Sequence, residues 1–163
     1  MTTPCIRPIL KKDNSHIARV IRQVLLDLGA PTVGTAYADK SLDMLYETYQ
    51  NPRSIYFVVE IAGEILGGGG IAPLDHCDKN ICELQKMYFL ESARGLGLGA
   101  QMIDLCLLKA KDFKFEGCYL ETMTTMKAAQ KLYLKNGFEY INGPLGNTGH
   151  YSCPIYMLKN IQL

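Results

Sequence analysis

Residues 93–100 read ARGLGLGA: three glycines in five positions, an arginine in front and an apolar, periodic segment behind. Glycine takes left-handed backbone freely and puts no Cβ between a ligand and nearby main-chain N–H groups. If the apolar segment opens a helix here, its first N–H groups lack intrahelical partners and carry the positive end of the helix dipole. Arg94 adds a permanent charge and a planar fork of donors. Such a combination suits a pyrophosphate. A Walker loop would need Lys-Ser or Lys-Thr after the last glycine, and neither follows. A dinucleotide fingerprint is spaced G-x-G-x-x-G, whereas Gly95, Gly97 and Gly99 are spaced G-x-G-x-G. The spacing therefore argues against a nucleotide-dependent oxidoreductase. One glycine would serve a plain strand-to-helix turn, so three with an arginine argue for a bound anion.

Metal chemistry has weaker support. Six cysteines stand at irregular spacing, at 5, 77, 82, 106, 118 and 153. Cys77 and Cys82 lie close together beside His76, but no further ligands follow at zinc-site spacing, and no metal is expected. Cys106 falls on an apolar helix face and Cys118 in an apolar strand, where cysteine acts as a small core residue.

The elements that position the glycine stretch are legible on both sides of it. A short strand at 5–10 precedes a helix capped by Asp13, Asn14 or Ser15, with Ile17, Val20, Ile21, Val24, Leu25 and Leu28 in one stripe. A loop at 29–38 leads to a second helical segment near 39–50. Strands follow at 54–63, 64–72 and 81–90, the middle one carrying four consecutive glycines, which mark a bulge or a close approach. A helix from Leu98 to about Lys114, a strand at 117–123 and a helix at 125–137 come next. Lys127, Lys131 and Lys135 mark the wet side of that last helix, with Ala128, Ala129 and Leu132 on the dry one. Strands at 138–141 and 150–159 close the chain. The order β-α-α-β-β-β-α-β-α-β-β predicts an α/β fold with a mixed, largely antiparallel central sheet flanked by helices, and one strand–helix–strand crossover.

Length and composition set the frame. A chain of 163 residues with 48% apolar residues fits a single domain spanning 1–163. A formal charge of +1 gives no general pull toward nucleic acid or an anionic membrane. The first residues lack the apolar run of a signal peptide and no segment is long enough to span a bilayer, so a soluble, cytoplasmic protein is expected.

The segment Arg94-Gly95-Leu96-Gly97-Leu98-Gly99 resembles the [Q/R]-x-x-G-x-[G/A] signature of the GNAT superfamily of N-acetyltransferases, and AAQKLYLKNGFEYI downstream resembles its second signature. Both occur in the family's order, about 30 residues apart, and the element order is similar along nearly the whole chain. The resemblance implies that Arg94, Gly95, Leu96, Gly97, Leu98, Gly99 and Ala100 hold the pyrophosphate of acetyl-CoA. Met87, Tyr88 and Phe89, ending the preceding strand, would pair with the pantetheine arm, and an N–H there, from Met87, would polarise the thioester carbonyl. Such a donor is commonly worth about 3–4 kcal/mol. Thr125 stands near where many members place a cofactor-binding asparagine.

The same resemblance implies the proton-transfer groups. Tyr133, in the LY position, would protonate the departing thiolate, or else is a packed helix tyrosine. Glu83, four residues before Met87, reads either as the general base or as a structural glutamate, and strand alternation would set Glu83 and Gln85 on the face of Met87. Glu121 and a water relay are the other candidate bases. The acceptor, a small-molecule primary amine, would enter between the loop at 29–38, with Thr35 and Tyr37, and 142–153, with Asn147, His150 and Tyr151. His150 reads as a base, an acceptor contact or a plain exposed residue. Homodimers are common in the family, but no residue here marks an interface. A non-catalytic acyl-CoA-binding or sensing module is the alternative reading.

Overall fold

Seven strands form one sheet in the order β1-β2-β3-β4-β5-β7-β6 in a computed structural model that describes residues 2–162. β1 (Cys5–Pro8), β2 (Ile55–Ile61), β3 (Glu64–Pro73) and β4 (Ile81–Phe89) pair antiparallel in succession. The chain then crosses over through α3 (Leu98–Asp112) to β5 (Gly117–Thr122), which lies parallel to β4. After α4 (Lys127–Lys135) come β6 (Glu139–Ile141) and β7 (Ile155–Asn160), with β7 inserted antiparallel between β5 and β6. The predicted order, α/β class and single crossover are all present.

Each face of the sheet is covered by the apolar stripe of a helix. α1 (Asn14–Asp27) buries Ile17, Val20, Ile21, Val24 and Leu25 with Val58 and Tyr56 of β2. α3 buries Met102, Ile103, Cys106 and Ala110 on the opposite face with Val59, Leu84 and Leu120. A fully buried Ile or Leu contributes about 1.5–3 kcal/mol relative to leaving it exposed.

The segment 39–50 departs from expectation. It makes a 3₁₀ stretch at Lys40–Met44 and a single α-turn, α2 (Leu45–Thr48), because the Met44 backbone (φ −134°, ψ 41°) breaks the helix. Leu42 and Leu45 are still fully buried, so the apolar positions that suggested one helix are satisfied by two shorter turns.

The feature that builds a site is where β4 and β5 part. They pair only through Ile81 with Gly117, Cys82 with Cys118 and Glu83 with Tyr119. β5 stays paired with β7 as far as Thr122, while β4 follows β3 to Phe89. From Leu84 onward the main chain of β4 therefore has no strand on its β5 side.

Candidate active site

The parting of β4 and β5 opens a cleft of about 620 Å³. Its walls are Leu84 and Lys86 to Phe89 of β4, Leu120 to Thr122 of β5, the start of α3 and one side of α4. The end of α1 reaches it through Val24, Leu25 and Leu28. Of the residues expected to hold a coenzyme, Met87, Tyr88, Phe89, Arg94, Gly95, Gly97, Leu98, Gly99, Ala100 and Thr125 all line it. Leu96 is 52% exposed and is not part of the lining.

The glycines divide into two jobs. Gly95 and Gly97 have φ of 75° and 74°, left-handed values that glycine adopts without strain. Gly97 is the N-cap of α3, no side chain caps that end, and the first intrahelical bond runs from Gln101 N–H to the Gly97 carbonyl. The N–H groups of Leu98, Gly99 and Ala100 are therefore unclaimed by the helix, and all three residues line the cleft. Gly99 also serves packing: a Cβ there would lie 2.7 Å from Leu132 Cδ2, so it lets α4 approach α3. The Arg94 guanidinium lies at the same end, its Nε donating to the Phe89 carbonyl at 3.0 Å.

β4 carries a bulge. The ladder with β3 runs from Gly68–Tyr88 directly to Gly70–Gln85, so Gly69 stands opposite both Lys86 and Met87. Lys86 has φ of 49°. The extra residue reverses which side chains face which layer. Leu84, Met87 and Phe89 pack toward α3, whereas Tyr88 packs toward α1 and Gln85 meets Tyr49. Strand alternation had set Glu83 and Gln85 on the face of Met87; the bulge puts them on the opposite one.

Three groups can move protons near the parted strands. Tyr133 is 7% exposed, lines the cleft and packs edge-on to Phe138. Its hydroxyl has no hydrogen-bond partner among the described residues, and no fully buried polar side-chain atom lacks one, so the hydroxyl opens into the cleft. Burial pushes the Tyr133 phenol up to about 12. Glu83 is 6% exposed, and burial raises its carboxyl above the ordinary glutamate range, against the opposing pull of the Gln85 hydrogen bond. Gln85 is itself held in place: Tyr49 Oη donates to its Oε1 at 2.6 Å, and its Nε2 donates to Glu83 Oε2 at 2.8 Å. Glu83 Oε1 has no partner among the described residues. Glu83 sits behind the cleft lining, while Glu121 is part of it. Both Glu121 oxygens accept hydroxyl protons, one from Tyr119 and one from Thr148.

The two loops expected beside an acceptor do meet. Ser152 N–H donates to the Gly34 carbonyl at 3.0 Å, and the Tyr151 ring lies against Gly34. His150 is not a free side chain: its Nε2 lies 2.9 Å from Asp39 Oδ1, and Lys86 Nζ lies 3.0 Å from Asp39 Oδ2. Burial would raise the Asp39 carboxyl, but the His150 hydrogen bond and the Lys86 charge hold it below the usual aspartate range. These contacts tie the 142–153 loop and the start of the 39–50 segment to the bulge of β4.

Several cleft residues were not foreseen. Lys127, Lys131 and Lys135 all line it, as does Ala128. The side of α4 expected to be wet therefore borders the cleft; Gln130 and Tyr133 are its fully buried positions, Ala129 and Leu132 are half-buried against the core as expected, and Ala128 is exposed. Gln130 donates to the Met123 carbonyl at 2.9 Å, fixing the turn that carries Thr125. The four-residue spacing of the lysines was visible, but nothing in it distinguishes solvent from a ligand cleft.

The model of the Acetyltransferase (GNAT) family matches residues 23–138. An uncharacterized N-acetyltransferase of Escherichia coli K12, YjgM, is 46% identical over 160 residues, spanning 98% of this chain and 96% of that one. A GNAT-family acetyltransferase from Staphylococcus aureus Mu50 superposes with a TM-score of 0.85 at 20% identity, over 98% of this chain and 100% of the other. The protein yncA of Salmonella typhimurium, solved with acetyl-CoA, gives a TM-score of 0.79 at 17% identity, over 99% of this chain and 96% of that one. With the family match, the close relative and the shared fold in agreement, the chain belongs to the GNAT family of N-acetyltransferases.

Proposed function

We propose that this protein moves the acetyl group of acetyl-CoA to the primary amine of a small molecule by direct attack, within the cleft between β4 and β5. The observation that carries the reading is the joining of two features in one cleft. At one end lies a helix N-terminus with unclaimed N–H groups behind left-handed glycines, and at the other an unpaired strand edge beside a tyrosine whose hydroxyl has no partner among the described residues. The first suits a diphosphate and the second an extended amide-bearing arm. Arg94, Lys127, Lys131 and Lys135 along the lining suit an anionic coenzyme, which supplies the acetyl thioester.

Each residue then has a role fitted to its surroundings. The Met87 N–H, at the bulge where the β3 ladder skips, donates to the thioester oxygen as negative charge develops there. A primary amine, with a pKa near ~10, must lose a proton before attacking. Glu83 takes that proton, directly or through water; its free Oε1 and raised pKa suit a base working near neutrality. Glu121, both oxygens engaged by hydroxyls, helps to shape the acceptor side instead. Tyr133, its phenol pushed up to about 12 by burial, gives a proton to the thiolate sulfur. All six cysteines are free thiols, which fits a reducing compartment such as the cytoplasm.

The test is thiol release from acetyl-CoA across a panel of small primary amines. Release that depends on one amine class and yields the acetamide supports the reading. Tight CoA binding without release for every amine points instead to an acyl-CoA-binding module.

A further inference from the structure

The run Gly67-Gly68-Gly69-Gly70 in β3 lies outside the cleft lining, so a bound ligand does not account for it. Its surroundings do. A Cβ on Gly68 would stand 2.7 Å from Tyr56 Cε1 and 2.8 Å from Tyr56 Oη, and one on Gly70 would stand 2.7 Å from Tyr56 Cδ2. The Tyr56 ring thus lies flat across β3, directly over two glycines. Starting from β2, it passes over one whole strand to reach β4, where its hydroxyl donates to the Lys86 carbonyl at 2.7 Å.

Lys86 is the left-handed residue of the β4 bulge. Non-glycine side chains avoid that conformation, so it persists only where neighbours enforce it. The β3 register skips Lys86, and β5 has already diverged at Glu83, so Lys86 has no register partner on either side. Tyr56 supplies the Lys86 carbonyl a donor from inside the core, at 1% exposure. Its ring cannot swing away, being packed against Tyr49 at 5.1 Å between centroids on one side and the glycines on the other. On the opposite face, a Cβ on Gly69 would press on Met87 Cγ at 3.1 Å, so the same run also seats the Met87 side chain.

We propose that Tyr56 is a positioning residue for acetyl transfer. By holding the Lys86 carbonyl it fixes the bulge that turns the Met87 N–H out of the ladder, and the glycine run is the channel that lets its ring through. The proposal rests on Met87 as the donor to the thioester oxygen.

Tyr56→Phe removes the hydroxyl and keeps the ring. Wild type and variant are compared well below the variant's melting temperature. The measurements are kcat and KM, the Kd of CoA, and the 15N-resolved Met87 amide shift between the CoA and acetyl-CoA complexes. The expected result is a kcat lowered about 10–100-fold, with KM for acetyl-CoA and Kd of CoA changed less than about threefold. The acyl-dependent Met87 shift should shrink in parallel. Site-specific p-aminophenylalanine at 56, which keeps a donor at that place, should restore both. A variant that melts earlier but keeps kcat and the Met87 shift would overturn the proposal, leaving Tyr56 a core residue only. A wild-type Met87 amide indifferent to the acetyl group would overturn it by removing the donor assignment beneath it, a result seen before any variant is made.

Discussion

Replacing Tyr133 with Phe deletes one oxygen from a site whose surroundings allow the consequences to be separated. The hydroxyl has no hydrogen-bond partner among the described residues, and the ring's contact with Phe138, 6.0 Å between centroids, does not involve it. Folding stability should therefore change by no more than about 0.5 kcal/mol. A general acid contributes about 10²–10⁴-fold to rate, or about 2.7–5.5 kcal/mol of barrier. Thiol release followed with a chromogenic disulfide should show kcat lower by that factor, with KM for acetyl-CoA and the melting temperature nearly unchanged. With its phenol pushed up to about 12, wild-type Tyr133 stays protonated through the usual assay range, so its ionisation should produce no alkaline fall below about pH 10. A Phe variant retaining kcat within about threefold would leave Tyr133 a packed helix tyrosine with no part in proton transfer.

Two further perturbations address the base and the charged rim. Glu83 must be ionised to accept a proton, and its pKa is raised by burial, so wild-type kcat/KM should fall as pH drops through a value above the ordinary 4.5. Glu83→Gln should abolish that acid limb, lower turnover at neutral pH and recover partly as pH rises toward the amine pKa near ~10. An unchanged limb would assign the base elsewhere. Converting Lys127, Lys131 and Lys135 together to Gln should weaken CoA binding about tenfold at low salt, with the loss shrinking as the Debye length falls from about 10 Å at 0.1 M to about 3 Å at 1 M. Titration calorimetry at the two salt concentrations measures this, and an equal loss at both would contradict an electrostatic role.

The parts of the site readable from sequence were those in which local backbone demands a residue type. Left-handed φ at positions 95 and 97 and an apolar periodic helix behind them leave a trace in composition. The parts that were missed depend on non-local geometry. Lys86 adopts positive φ because of what surrounds it rather than because of its type, so alternation carried through the bulge and assigned Glu83 and Gln85 to the wrong face. The chain from Tyr49 through Gln85 to Glu83 joins residues 36 apart, and no periodicity records it. The lysines of α4 were correctly read as polar-facing, but hydropathy cannot tell a solvated face from the wall of a cleft. Likewise the segment 39–50 is apolar at helical spacing, and that spacing does not reveal a break at Met44 that leaves both Leu42 and Leu45 buried in the cluster around α1.

The proposed transfer requires unclaimed amides at the opening of α3 to grip a diphosphate across Gly95 and Gly97. A crystal structure of the complex with CoA tests it most directly. Diphosphate oxygens within about 2.7–3.2 Å of main-chain nitrogens in the segment 95–100, with the sulfur pointing between β4 and β5 toward Tyr133, are the predicted result. A diphosphate seated elsewhere on the molecule, with those amides left to solvent, would remove the coenzyme from this cleft.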